Sequence, residues 1–183
     1  MQRTFFTRVV VAGACAVGVG LLIAPRARGA GTPMNDAEVL GVYIQVNGFD
    51  IETALLAKAQ AVSPAIRAIA GQVAKDHLGV RQAAYDLAST CKVIPSVPNT
   101  RNSAAVDHNR SVTTLAAMSG AEFDRAYIQR EVAFHRSAIK AVRDALLPAA
   151  TCPALKAHLT QILPALEQHA KETERIASDL PPR

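Results

Sequence analysis

The chain has 183 residues, half of them hydrophobic but only eight aromatic and none tryptophan, which is one domain's worth and favours closely packed helices over a sheet. The formal net charge of +5 suggests a polyanionic partner only until the N-terminus is set aside. Met1 to Gly29 holds four arginines and no acids, and without it sixteen bases face 15 acids; such an interleaved, nearly neutral surface excludes nucleic-acid binding.

Residues 1–29 read as a secretory signal. Arg3 and Arg8 give a positive start, Val9 to Ala24 an uncharged apolar run, and Ala27-Arg28-Gly29 puts small residues at the −3 and −1 positions of a cleavage site. The run falls short of the ~20 residues of a spanning helix, so an uncleaved anchor is the weaker reading. Cys15 has Ala12 where a lipidated cysteine usually has leucine, and it leaves with the signal. The mature chain, expected in the periplasm or cell envelope and without a transmembrane span, keeps Cys91 and Cys152 in an oxidising compartment.

Residues 30–35 form a flexible lead-in, 36–180 a helical domain and 181–183 a tail. Asn35 followed by Glu38 is a capping signal. A first helix is predicted from Asp36 to about Ala61, its apolar stripe running through Val39, Val42, Tyr43, Val46, Phe49, Leu56 and Ala59 with Glu52 on its edge. Ser63-Pro64 starts a second helix that runs to about Thr90 and carries His77 among Val73, Val80 and Ala84. The turn between them is short, so the two helices are antiparallel.

From Cys91 to Gly120 the pattern breaks. Pro95, Pro98 and Asn99 mark an irregular strap with a short helix over about Ala104 to Met118, and its length suits a crossover along a bundle. Ser119 and Glu122 form a second capping box, and a third long helix follows to about Leu147. A fourth runs from Pro153 to about Asp179, with Pro164 expected to bend it. His135 and His169 each stand on the apolar stripe of one of these helices.

The two pairs fall at matching heights. Glu52 and His77 are twelve and thirteen positions from Pro64, while His135 and His169 are each seventeen from Cys152. With a crossover placing the two turns at opposite ends, Glu52, His77, His135 and His169 share one layer near the middle. Only that topology brings Cys91 and Cys152 to the same end, where a disulfide can form; in a simple up-and-down path they lie at opposite ends.

The chain resembles a bacterial family of exported proteins of unknown function, often labelled predicted outer membrane proteins and placed with the ferritin-like bundles. The matching pieces are Ser63-Pro64 with Lys75-Asp76-His77, Ser119-Gly120-Ala121-Glu122-Phe123-Asp124-Arg125-Ala126-Tyr127, His135, Leu163-Pro164-Ala165-Leu166 with His169, and Glu52. Members often have Asp-His in the third helix, where this chain has Phe134 before His135. The resemblance implies an all-α, ferritin-like four-helix bundle with a crossover, and it brings no established reaction.

Three imidazoles and a carboxylate suit Zn, Cu or Fe, so Glu52, His77, His135 and His169 are candidate metal ligands, with Asp76, Glu131 and Gln168 as partners that orient the rings. A di-iron site needs Glu-x-x-His, and the positions three before the histidines are Ala74, Val132 and Leu166; the carboxylates look too few. The competing reading is an envelope interaction or stress-related protein whose histidine layer only fixes helix register. His108 is expected exposed in the strap and His158 isolated at the core edge. No nucleophile beside a base and no phosphate loop points to an enzyme, and protein partners and oligomeric state are not written in the sequence.

Overall fold

The computed structural model describes residues 33–180; the signal segment, Cys15, most of the lead-in and the tail lie outside them. Every regular element among the described residues is helical. They are α1 (Asp36–Gln60), α2 (Pro64–Thr90), a 3-10 turn (Asn99–Arg101), α3 (Asn102–Ala116), α4 (Gly120–Ala141), a π turn (Val142–Leu146), α5 (Leu147–Ala149) and α6 (Pro153–Asp179). None is long and apolar enough to cross a membrane.

Local chemistry sets the ends. Asn35 and Glu38 exchange two 3.0 Å bonds that close the capping box of α1, and Ser63 caps α2 with Pro64 in its first turn. The box expected at Ser119 does not form: Gly120 takes a left-handed φ of 59°, and the Ser119 side chain makes no cap bond. Past Ala138 the buried positions of the third long segment recur every fourth residue, at Val142, Leu146 and Ala150. Four residues overshoot an α-helical turn by about 40° each time, and the wider π turn absorbs that drift, with the Leu147 amide donating to the Val142 carbonyl.

Two apolar clusters fill the interior. One, around Ile66, Val73, Phe123, Tyr127 and Ile176, lies at the α1–α2 turn; the other, around Leu40, Val42, Leu146, Leu155 and Leu159, lies at the turn before α6. The two turns are therefore at opposite ends, and residues 91–119 carry the chain back between them. At one end the strap crosses α1 so closely that a Cβ on Gly41 would collide with the Ser96 carbonyl. At the other, Gln60 donates to the Met118 carbonyl. Cys91 and Cys152 sit at disulfide distance, with Cα atoms 5.9 Å apart.

Each turn is completed by a carboxylate from the other half of the chain. Asp124 of α4 accepts from the Val62 and Ser63 amides at 3.0 and 2.7 Å. Asp36 of α1 accepts from the Thr151 and Cys152 amides at 2.7 and 3.0 Å.

Candidate metal centre

Between the two apolar clusters lies a polar layer. Asn47 and Asp50 come from α1, His77 from α2, Glu131 and His135 from α4, and all are buried; His169 from α6 completes it, its side chain 12 % exposed. The ring centroids of the three histidines are 5.2 to 5.7 Å apart, and one ligand atom from each lies within 4.8 Å of the other two.

The hydrogen bonds fix which nitrogen that is. Asn47 donates from Nδ2 to the Tyr43 carbonyl at 2.8 Å, so its Oδ1 accepts from His77 Nδ1 at 2.9 Å. His135 Nδ1 donates to the Glu131 carbonyl at 3.0 Å, and His169 Nε2 donates to Asp76 at 3.0 Å. Every ring thus has one N–H tied to an acceptor, which leaves a lone pair on His77 Nε2, His135 Nε2 and His169 Nδ1. The last two have no hydrogen-bond partner. His77 Nε2 stands 3.1 Å from Asp50 Oδ2, and His135 Nε2 stands 3.7 Å from the same oxygen.

Asp50 is fully buried, and the neighbouring Glu131 carboxyl is the one protein group that shares a hydrogen bond with it; the Tyr127 hydroxyl has no partner. Asp50, Glu131 and His135 form a second set of ligand atoms within 4.8 Å of one another. The guanidinium of Arg130 reaches this edge of the layer, donating to Thr53 at 2.9 Å and Glu131 Oε1 at 3.0 Å, and lying 3.9 Å from Asp50 Oδ1. It also stacks over Phe134 and donates to Ser111, which ties the layer to α3.

Burial dominates the electrostatics. It lowers the His77 pKa to about 3, helped by the charges of His135 and His169, and that of His135 to about 4, so both rings are neutral and able to ligate. Burial raises Asp50 to about 7 against the pull of Arg130. It raises Glu131 well above the usual carboxylate range, and the neighbouring Asp50 pushes the same way.

Several sequence-derived positions are placed otherwise. Glu52 is outside the layer: its side chain is 62 % exposed and accepts from His108 at 2.7 Å. Two residues along a helix turn a side chain through about 200°, so Asp50 faces inward where Glu52 faces out. Gln168 is exposed as well. Asp76 does hold the His169 ring, whereas Glu131 orients His135 through its main chain and places its carboxylate inside the layer. His108, expected at the surface, is buried against Phe49, with ring centroids 4.1 Å apart. His158 is half-buried and 3.1 Å from the Tyr43 hydroxyl. Carboxylates are also more numerous at the layer than the sequence pattern suggests. The Glu-x-x-His spacing covers only the third position before each histidine, while Glu131 is four before His135 and Asp50 is on another helix.

The profile of a family of domains of unknown function matches residues 23–176. The chain belongs to the DUF4142 family. No curated protein and no solved structure matches. Every residue of the polar layer falls inside the DUF4142 match.

Proposed function

We propose that this DUF4142 protein is an exported, ferritin-like four-helix bundle with a crossover, which holds a transition-metal ion through His77, His135 and His169 with Asp50 as the nearest carboxylate. One observation carries the reading: three imidazole lone pairs converge, each ring being fixed by an acceptor on its other nitrogen. Three imidazole nitrogens and a carboxylate oxygen suit Zn, Cu(II) or Fe(II). No protein group pairs with His135 Nε2 or His169 Nδ1, and Asp50 has only the neighbouring Glu131 carboxyl; a bound cation would satisfy all of them, where a buried polar group left unpaired costs about 1–3 kcal/mol. The N-terminal segment and the Cys91–Cys152 pair support export to the periplasm or envelope.

The test is elemental analysis of protein purified without chelator or affinity-tag metal, beside a His77→Ala/His135→Ala/His169→Ala variant checked for helicity. Near-stoichiometric Zn, Cu or Fe in the first and none in the folded variant is the expected result. No metal in either, even after incubation with each ion, would return the layer to a register-fixing role.

A further inference from the structure

Beside the histidines lies a cavity of about 70 Å³. His77 and His169 are part of its lining, and its wall is mostly aliphatic: Val46, Val80, Ala138, Val142, Ile162 and Leu166 also line it. Ala141 of α4 and Ala165 of α6 line it as well, and both are exposed at the surface. Neither alanine touches the polar layer through any hydrogen bond or ion pair, so this part of the lining is separate from the framework that fixes the rings.

Size and lining together select the occupant. A single water molecule needs about 10–15 Å³ of such space, and apolar cavities of about 150 Å³ stay dry and take up benzene or xenon. The space here suits something smaller than benzene. A charged molecule would lose its hydration against an aliphatic wall and recover little of it. The polar groups that line the cavity are Tyr43, Asn47, Asp76, His77, Arg101 and His169, and each already has a protein partner: Asn47 holds His77, Asp76 holds His169, Tyr43 meets His158 and Arg101 donates to Gln45.

We propose that this cavity admits a small uncharged molecule, of about the size of dioxygen or nitric oxide, to the metal centre. The proposal rests on the metal reading above and adds the class of ligand that reaches it. A site whose ion was only a structural staple would need no apolar cavity against two of its three rings.

Two measurements separate this proposal from the reading beneath it. Crystals of the protein pressurised with xenon probe the cavity without regard to metal. Iron(II)-loaded protein mixed with nitric oxide, followed by electron paramagnetic resonance, probes delivery, with Ala141→Phe and Ala165→Phe as separate surface variants that narrow the cavity at these positions. The expected results are xenon between Val46, Ala138 and Leu166, and a nitrosyl signal that forms at least tenfold more slowly in one or both variants at unchanged iron content. Absence of xenon from the cavity would overturn the proposal, as would an unchanged nitric oxide rate in both variants. Xenon in place with none of Zn, Cu or Fe bound would overturn the metal reading and the proposal with it.

Discussion

Replacing Asp50 by asparagine should push the protein in opposite directions with and without metal. The side chain is fully buried, and only the Glu131 carboxyl beside it shares a hydrogen bond with it. A rise in its pKa from 3.8 to about 7 corresponds to roughly 4 kcal/mol of stability withheld once the pH exceeds that value. An asparagine there would carry no charge, and its amide can donate toward the lone pairs of His77 and His135. Some of the gain is lost to imperfect geometry, so about 2 kcal/mol is expected, or roughly 1 M in urea midpoint. Zinc at a hundred times its Kd stabilises a site by about 2.7 kcal/mol, and the variant should forfeit most of that.

The assay is urea unfolding at pH 8, with chelator and then with zinc. The sign of the pH dependence is fixed. A folded pKa above the unfolded one contributes stability below about pH 4 that is lost as pH rises through about 7. The advantage of Asp50→Asn should therefore shrink toward pH 4. His77 and His135, held at about 3 and about 4, act in the other sense. The unfolded chain takes up protons near pH 6.5 that the folded one refuses, so the chelated Asp50→Asn protein should weaken as pH falls from about 6.5 toward 4. If the chelated variant were less stable than the parent at pH 8, Asp50 would be an ordinary structural acceptor. If zinc stabilised both equally, Asp50 would not be beside the ion.

Asn47→Ala removes the acceptor that sets the His77 tautomer, and should weaken metal binding about 10- to 100-fold with little change in helicity, as read by competition with a chromophoric chelator. Gly41→Ala would drive a methyl group into the Ser96 carbonyl and should cost about 1–3 kcal/mol; an unchanged urea midpoint would mean that the strap lifts freely. Cys91→Ser should lower stability by about 4 kcal/mol for a loop of separation 61, and reductant should then have no further effect on unfolding.

The helices were legible because their ends are written in short-range chemistry. Asn35 with Glu38, Ser63-Pro64 and Pro153 act over three or four residues, and α1, α2 and α6 begin where those signals stand. The phase of α1 was harder to read. Val46, Phe49 and Leu56 look like a core stripe, yet they are only partly buried, while Tyr43, Asn47, Asp50, Ala54 and Ala57 face the interior. Phe49 is apolar for another reason: it receives His108 from α3, a contact across the strap that helix periodicity cannot announce. With the stripe misphased, Glu52 looked inward and Asp50 did not. The signal that could have found Asp50 is the spacing of Asn47, Asp50, Ala54 and Ala57, steps of three and four with two polar members. The three histidines were readable because each stands on an apolar stripe of its own helix, whatever the helices around it do.

The reciprocal carboxylates at the two turns bear on how the molecule comes together. Asp124 completes a turn it does not belong to, and Asp36 does the same at the far end. Each pair of helices takes two of its turn's acceptors from the other pair: a chain cut between them would leave those amides to water. The two halves of the chain are therefore stitched to each other at both extremities, with the polar layer held between the stitches.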